Sequence, residues 1–411
     1  MRRAALAASL LAAAGCGQIG TTGLGWIDGR DAVDRDPSTR TVQLRWRHRL
    51  ADVSRESFVP VERARAALDP TNDRIYVGSS AGQLHAMSAM GGQIYSYDAG
   101  GGIAAEPAID ASRDELYVAT EDGVVHRLTA SSGVVAWRRD VGGAVSQTPL
   151  LTPDAIYLVT DNDIVIALDR DDGEPLWRYR RDAPEGFYVS EHAGLTLVDG
   201  HLLAAFTAGV VVSLDPSDGA LRWERDTAAD LEPGPDGPPR FADVDTTPVV
   251  VEGVVYVASF AGGLYALELE SGSVLWRDEE LTGVIGITRA TSRLLLLSSG
   301  DLGMLCIDRT DRRILWRRRL PRGAPGRSVV AGDLVLFGES RGGFVTVDLG
   351  TGAELGRFES QHGFSATPTV ADGRGFVLGN GGTLYAFALP APSAGAATES
   401  RGGWLTPREA R

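Results

Sequence analysis

The sequence predicts an all-β fold, an eight-bladed β-propeller built from four-stranded antiparallel blades. The first observation behind this prediction is a unit of four short strands joined by tight turns, which recurs along the chain. The second is the spacing of the copies, because the tryptophans that mark five of them are separated by 40, 46, 53 and 40 residues. That period fits a propeller blade and is too long for one coil of a β-helix. The five tryptophans are Trp137, Trp177, Trp223, Trp276 and Trp316.

The clearest copy of the unit runs from residue 249 to residue 276. A strand at Val249–Val251 is followed by a two-residue turn, a strand at Val254–Ser259, a glycine turn and a strand at Leu264–Leu269. A further turn then leads to a fourth strand, which carries Trp276. A single sheet of this kind cannot bury its faces, so the fold requires several copies packed side by side.

Three further copies complete a ring of eight. Two of them lack the tryptophan, and alignment on their turn glycines pairs Gly92 with Ser96 and Gly352 with Gly356. The last copy is divided between the two ends of the chain: residues 365–389 supply three strands, and the strand that ends in Trp46 supplies the fourth. We expect this N-terminal strand to pair with the last blade, because closure removes an open sheet edge.

The two ends of the chain are expected to lie outside the propeller, which takes residues 41–389. Residues 1–15 contain two arginines and an apolar run too short to span a bilayer, which is typical of a signal peptide. The small residues before Cys16 resemble a lipobox, so we expect acylation of Cys16, with residues 16–40 as a flexible tether. An ordinary secretory signal cut nearby is the alternative. Residues 390–411 are expected to form a disordered tail.

Charge and motif content argue against several functions. The formal net charge of −14 argues against nucleic-acid binding and against a patch for anionic membranes. The six histidines show no metal-ligand spacing, and no phosphate loop or dinucleotide motif follows a strand. Cys306 lies in a predicted strand, where a buried structural cysteine is the default. We therefore expect no cofactor, no metal site and no catalytic residues.

Two long connections between blades mark a candidate binding face. One contains Phe187 and Tyr188, and the other ends at Asp243 and Asp245. Both follow a tryptophan strand and precede the first strand of the next blade, so both emerge on the same face of the disc. Enlarged loops on one face of a rigid scaffold are frequent binding sites. The alternative for the two aspartates is a structural one, in which they cap the loop by hydrogen bonds to nearby backbone amides.

The units at residues 167–177 and 213–223 resemble the quinoprotein-type, or PQQ-like, propeller repeat. Each has a Leu-Asp pair, a polar turn with glycine, and a tryptophan four residues after that glycine. The resemblance covers residues 41–389. It implies that the repeat tryptophans dock between neighbouring blades, and the residues concerned are Trp46, Trp137, Trp177, Trp223, Trp276 and Trp316.

Together with Cys16 and a single propeller domain, the Asp-Val-Asp-Thr-Thr-Pro segment at residues 243–248 is similar to the BamB family of outer-membrane assembly lipoproteins. This resemblance implies a non-catalytic scaffold, lipid-anchored at the periplasmic face of the outer membrane. It also implies a monomeric subunit that binds a periplasmic domain of the barrel-inserting subunit BamA, with Asp243 and Asp245 at the contact. The family's second contact element carries an arginine that residues 186–189 lack, so Phe187 and Tyr188 are the aromatic anchors expected here.

Two other functions use the same repeat. A quinone-dependent dehydrogenase would bind calcium through carboxylate and amide ligands and would commonly carry adjacent cysteines. Here the two cysteines are 290 residues apart. A propeller lipoprotein that binds another periplasmic partner or a glycan is the third reading, and the sequence leaves it open.

Overall fold

The chain forms a closed ring of eight sheets in a computed structural model that describes residues 42–51, 62–181, 192–231 and 242–390. Across these ranges there are thirty-two strands, and every sheet has four of them. All strand pairs are antiparallel, and neighbours in a sheet are consecutive in the chain except in the last blade. The predicted eight-bladed all-β propeller is therefore confirmed.

The blades are numbered along the chain, and the strands of each are given from the channel outward. Blade 1 has β2 (Ala67–Asp69), β3 (Arg74–Gly78), β4 (Gln83–Ser88) and β5 (Gln93–Asp98); blade 2 has β6 (Ala108–Asp110), β7 (Glu115–Ala119), β8 (Val124–Thr129) and β9 (Val135–Asp140); blade 3 has β10 (Leu150–Leu151), β11 (Ala155–Thr160), β12 (Ile164–Asp169) and β13 (Pro175–Arg180); blade 4 has β14 (Thr196–Val198), β15 (His201–Ala205), β16 (Val210–Leu214) and β17 (Leu221–Asp226). A short 3-10 helix, Ala228–Asp230, follows β17.

The second half of the ring repeats this arrangement. Blade 5 has β18 (Val249–Val251), β19 (Val254–Ser259), β20 (Gly263–Glu268) and β21 (Val274–Asp278); blade 6 has β22 (Val284–Arg289), β23 (Leu294–Ser299), β24 (Gly303–Asp308) and β25 (Ile314–Arg318); blade 7 has β26 (Val329–Ala331), β27 (Leu334–Gly338), β28 (Gly343–Asp348) and β29 (Glu354–Glu359); blade 8 has β30 (Thr369–Ala371), β31 (Arg374–Gly379), β32 (Thr383–Ala388) and the N-terminal β1 (Gln43–Arg49).

The hydrophobic core lies between the blades, in the second and third strands. Every residue of β16 is buried, because neighbouring blades cover both faces of the sheet. Outermost strands such as β13 alternate between exposed and half-buried residues, since one of their edges meets solvent. Each hydrophobic cluster draws on two adjacent blades; Tyr256 of blade 5, for example, packs in one cluster with Leu295 of blade 6. No blade can therefore bury its apolar residues without its neighbours.

Five of the repeat tryptophans join their blade to the next one by a hydrogen bond. In blade 3, the Trp177 indole Nε1 donates a hydrogen bond of 3.0 Å to the carbonyl of Pro216 in blade 4. The Tyr157 hydroxyl donates to the same carbonyl, also at 3.0 Å. The other bonds from a tryptophan Nε1 are Trp46 to Ala89 O (3.0 Å), Trp137 to Arg170 O (3.3 Å), Trp223 to Leu269 O (2.7 Å) and Trp316 to Leu349 O (2.7 Å). Trp276 lies against Tyr256, with ring centroids 5.9 Å apart.

The turn glycines complete this contact. Gly219 has a φ of +75°, and a Cβ there would lie 2.5 Å from the Trp177 ring. Glycine adopts this left-handed conformation without strain, and it has no Cβ that would meet the ring. In blade 6 the corresponding residue is Arg312, which adopts a φ of +62° although this left-handed conformation is strained for a residue with a side chain.

The alignment of the first degenerate copy is wrong by one residue. Tyr95, rather than Ser96, pairs with Ala86 in the register that other blades give to tryptophan. The Tyr95 hydroxyl also donates to the Ala130 carbonyl of blade 2, at 2.9 Å. The turn residue with positive φ that faces the previous blade is Gly91, not Gly92; a Cβ on Gly91 would lie 3.0 Å from the Trp46 ring. Because Gly91 and Gly92 are adjacent, the sequence allows two alignments of this copy. The packing of Gly91 against Trp46 selects one of them.

The ring closes through the N-terminal strand, as predicted. β1 pairs antiparallel with β32 from Gln43 opposite Ala388 to Arg49 opposite Thr383. Trp46 lies opposite Ala386 in this pairing, which is the register of the other repeat tryptophans. The first 41 residues and residues 391–411, which include Cys16, the expected signal peptide, the tether and nearly all of the tail, lie outside the described residues.

Candidate partner-binding face

One face of the disc carries the two long connections that the sequence singled out, together with a connection of similar length from β1 to β2. The first leaves β13 at Arg181 and returns at His192, and the second leaves at Leu231 and returns at Ala242. Both run from an outermost strand to the innermost strand of the next blade, and the turns between second and third strands lie on the same side. We call this side the loop face. Phe187 and Tyr188 belong to the first connection and lie outside the described residues.

Asp243 and Asp245 are buried at the point where the second connection rejoins the sheet. They are 4% and 3% exposed. The Asp243 carbonyl accepts a hydrogen bond of 2.9 Å from the amide of Phe260. The Ser259 hydroxyl donates to the adjacent Ala242 carbonyl at 3.0 Å. The segment is therefore fixed to the turn between β19 and β20.

The rest of the Asp-Val-Asp-Thr-Thr-Pro segment connects blade 5 to blade 4. The Thr246 hydroxyl accepts a bond of 2.8 Å from the Ala258 amide within blade 5. The Thr247 hydroxyl accepts one of 2.8 Å from the Gly194 amide of blade 4. The Thr196 hydroxyl of blade 4 donates to the Pro248 carbonyl at 2.7 Å. Because buried backbone groups need partners, these bonds are what allows an irregular segment to lie inside the disc.

Arg327 of blade 7 reaches the same segment, which sequence reasoning missed. Its guanidinium donates to the Asp245 carbonyl at 3.3 Å and to the Thr247 hydroxyl at 3.5 Å. The side chain crosses Gly286 of blade 6, where a Cβ would lie 2.8 Å from the Arg327 Cγ. Asp245 and Arg327 are 82 residues apart, and nothing in the local sequence around Arg327 indicates this contact.

A second group of ionisable side chains lies on the loop face between blades 3 and 4. Asp163 is 1% exposed and accepts a bond of 2.6 Å from the Thr207 hydroxyl. His192 lies 3.9 Å from Asp163. Burial raises the pKa of the neighbouring Asp161 carboxyl, and the charges of His192 and Arg63 oppose that shift. This group ties the return of the first connection to the turn between β11 and β12.

Among the described residues, no group of three or more His, Cys, Asp or Glu side chains could hold a metal ion. Cys306 is buried in β24, where burial raises the pKa of its thiol to about 11. A thiol of that kind is protonated and unreactive at neutral pH. In the same part of the chain, no helix has the length and apolar character needed to cross a membrane.

The fold and the tryptophan repeat define a propeller of the PQQ-like repeat class. The family model described as "Outer membrane protein assembly factor BamB" matches residues 102–318 and 303–389. The chain belongs to this family.

Relatives agree with this assignment, and a solved structure agrees with the fold. The chain is 30% identical to outer membrane protein assembly factor BamB of Escherichia coli strain K12, over 61% of this chain and 87% of that protein. It is 28% identical to the BamB of Yersinia pestis, over 62% of this chain and 64% of that protein. The crystal structure of BamB from Moraxella catarrhalis superposes with a TM-score of 0.70 at 20% identity, covering 85% of this chain and all of that one.

The propeller is also similar to quinohemoprotein alcohol dehydrogenase from Comamonas testosteroni, with a TM-score of 0.64 at 15% identity, over 87% of this chain and 78% of that one. At such identities the likeness concerns the fold alone. It carries no information about activity.

Proposed function

We propose that this protein is a non-catalytic scaffold in outer-membrane protein assembly, which binds the BamA-type subunit through its loop face. The observation that carries the proposal is membership of the BamB family. The position of both long connections on one face of a rigid ring supports the loop face as the contact. On this proposal the protein is held at the periplasmic side of the outer membrane by the acylated Cys16.

The buried aspartates give this contact a specific form. Asp243 and Asp245 have little surface of their own to offer a partner, so their proposed role is to hold the segment in a fixed shape. Half-buried Phe260, whose amide bonds Asp243, then lies beside the contact. Phe187 and Tyr188 are proposed as anchors, because aromatic side chains bury a large area with little loss of conformational entropy. A preformed loop surface also lowers the cost of binding.

The test is direct binding to the purified periplasmic domain of the BamA-type subunit from the same organism, measured by calorimetry. Phe187→Ala with Tyr188→Ala should weaken the complex by about 30-fold or more, since a single interface anchor commonly contributes about 2 kcal/mol. Asp243→Asn with Asp245→Asn keeps the side-chain shape and should also weaken binding. Asp171→Ala, an exposed carboxylate in the turn between β12 and β13 on the opposite face, is the control and should bind as wild type.

Melting temperatures separate the two roles of the aspartates. If the Asp243 and Asp245 variant binds less only in proportion to its unfolded fraction, the two carboxylates are structural caps and the contact lies elsewhere. If neither double variant changes affinity, the loop face is the wrong surface. If the wild-type protein does not bind the periplasmic domain at all, the proposed partner is wrong and another periplasmic protein or a glycan has to be considered.

A further inference from the structure

All eight blades line a central channel that contains two adjoining cavities. One measures about 360 Å³ and lies among the residues that precede the innermost strands. The other measures about 480 Å³ and extends along β18, β22 and β26. The two share Arg65, Gln147, Thr148, Arg327 and Thr367. Cavities of this size accommodate a small organic molecule.

The charge of the channel is opposite to that of the protein. The residues that line the two cavities include four arginines and one carboxylate: Arg63, Arg65, Arg289, Arg327 and Glu106. These described residues thus contribute a net charge of about +3 in a chain whose formal net charge is −14. Solvent in a narrow channel screens charges less than bulk water does, so this positive charge acts strongly on a molecule inside it.

Two of the arginines are held at the same level of the channel. Arg65 and Arg327 each lie two residues before the point where the inner strand of their blade pairs with the next strand, at Ala67 and Val329. The Arg65 Nε donates to the Thr369 hydroxyl at 3.1 Å, and its Nη1 lies 3.3 Å from Glu106. The side chain of Arg65 is 36% exposed, so it is part of the cavity wall.

The Arg327 side chain is also held in place by several contacts. It crosses Gly286 and is fixed by the Asp245 carbonyl and the Thr247 hydroxyl. A residue larger than glycine at position 286 would meet the arginine side chain. Guanidinium groups fixed in this way bind carboxylate and phosphate groups with little loss of side-chain entropy.

The remaining polar lining consists mainly of hydroxyl groups. Ser146, Thr148, Thr288 and Ser365 line the cavities together with the arginines. Hydroxyl groups donate to anionic oxygens and add no charge of their own. We propose that the channel binds a small polyvalent oxyanion, a molecule with two or more carboxylate or phosphate groups, between Arg65 and Arg327. This proposal is independent of the partner-binding role of the loop face.

The test is calorimetric titration of the processed protein with citrate and, separately, with pyrophosphate, at low ionic strength. These probes distinguish a carboxylate ligand from a phosphate ligand. Arg65→Gln and Arg327→Gln should each weaken binding of the preferred probe by about 10-fold, because each removes a charge-assisted contact. Arg319→Gln, which removes the same charge from an exposed position just after β25, is the matched control and should bind as wild type.

A variant with the opposite expected effect keeps the test independent of folding. Glu106→Gln removes the one carboxylate among the described lining residues and should tighten binding several-fold, which no loss of folded protein can imitate. Binding of either probe with this pattern supports the proposal and names the ligand class. The proposal is overturned if neither probe binds the wild-type protein, or if the Arg65, Arg327 and Glu106 variants bind with the same affinity as the Arg319 control.

Discussion

Replacement of Trp46 tests whether the ring depends on its N-terminal strand. Trp46 is half-buried between blades 8 and 1. Its ring centroid lies 6.0 Å from that of Phe376, and its Nε1 donates to the Ala89 carbonyl of blade 1 at 3.0 Å. Gly91 leaves space for the ring, as the turn glycines of other blades do for theirs. Trp46 therefore joins the last blade to the first.

The expected loss follows from these contacts. Truncation of a buried tryptophan to alanine costs about 3 to 5 kcal/mol, and the partial exposure of Trp46 favours the lower value, about 3 kcal/mol. Residues 43–388 form the ring, and at about 2.1 cal/mol/K each their entropy of unfolding is about 0.7 kcal/mol/K. Trp46→Ala should then lower the melting temperature by about 4 °C. Trp46→Phe keeps most of the packing but loses the hydrogen bond, so it should cost about 1 kcal/mol.

The assay is thermal and urea unfolding of the two variants beside Trp137→Ala, which removes the same contact inside the continuous part of the chain. Deletion of residues 17–35 should cost little, since the sequence predicts a tether that lies outside the ring. Equal destabilisation by this deletion and by Trp46→Ala would refute closure through Trp46. So would a Trp46→Ala variant as stable as the wild-type protein.

Three further predictions concern the anchor, one turn and one buried histidine. The wild-type N-terminus should carry acyl mass on Cys16, and Cys16→Ala should yield a soluble or unprocessed protein; detergent-dependent membrane association that is unchanged in the variant would contradict acylation. Arg312→Gly should raise the free energy of unfolding by about 0.5 to 1 kcal/mol, because glycine adopts the observed φ of +62° without strain. The control is Arg313→Gly, at a neighbouring position without positive φ, which should lower the free energy of unfolding. Burial, together with the charge of Arg138, lowers the pKa of His126 to about 4. The neutral imidazole therefore contributes stability above the unfolded pKa of about 6.5, and this contribution is lost as the pH falls toward 4. From pH 7.5 to pH 5 the loss should be about 2 kcal/mol, and urea unfolding of His126→Gln should show a pH dependence that is weaker by this amount.

The repeat and its period were sufficient to predict the architecture. Turn glycines and tryptophans recur at fixed local offsets, and an incomplete copy at each end of the chain implied closure. These signals are local, because every blade except the last is formed by consecutive strands. The same signals became ambiguous only where they were degenerate, as at Gly91 and Gly92, where packing against Trp46 decides which residue occupies the tryptophan position.

By itself, the sequence therefore determined the number of blades, the closing strand and the face that carries the long connections. Only the tertiary structure decided that Asp243 and Asp245 are buried, that Arg327 reaches across blade 6 to their segment, and that an acidic protein has an arginine-lined channel. The physical reason is that the ring brings together residues from distant parts of the chain. The residues that line the channel come from all eight blades, so they are far apart in the sequence and become neighbours only when the ring closes.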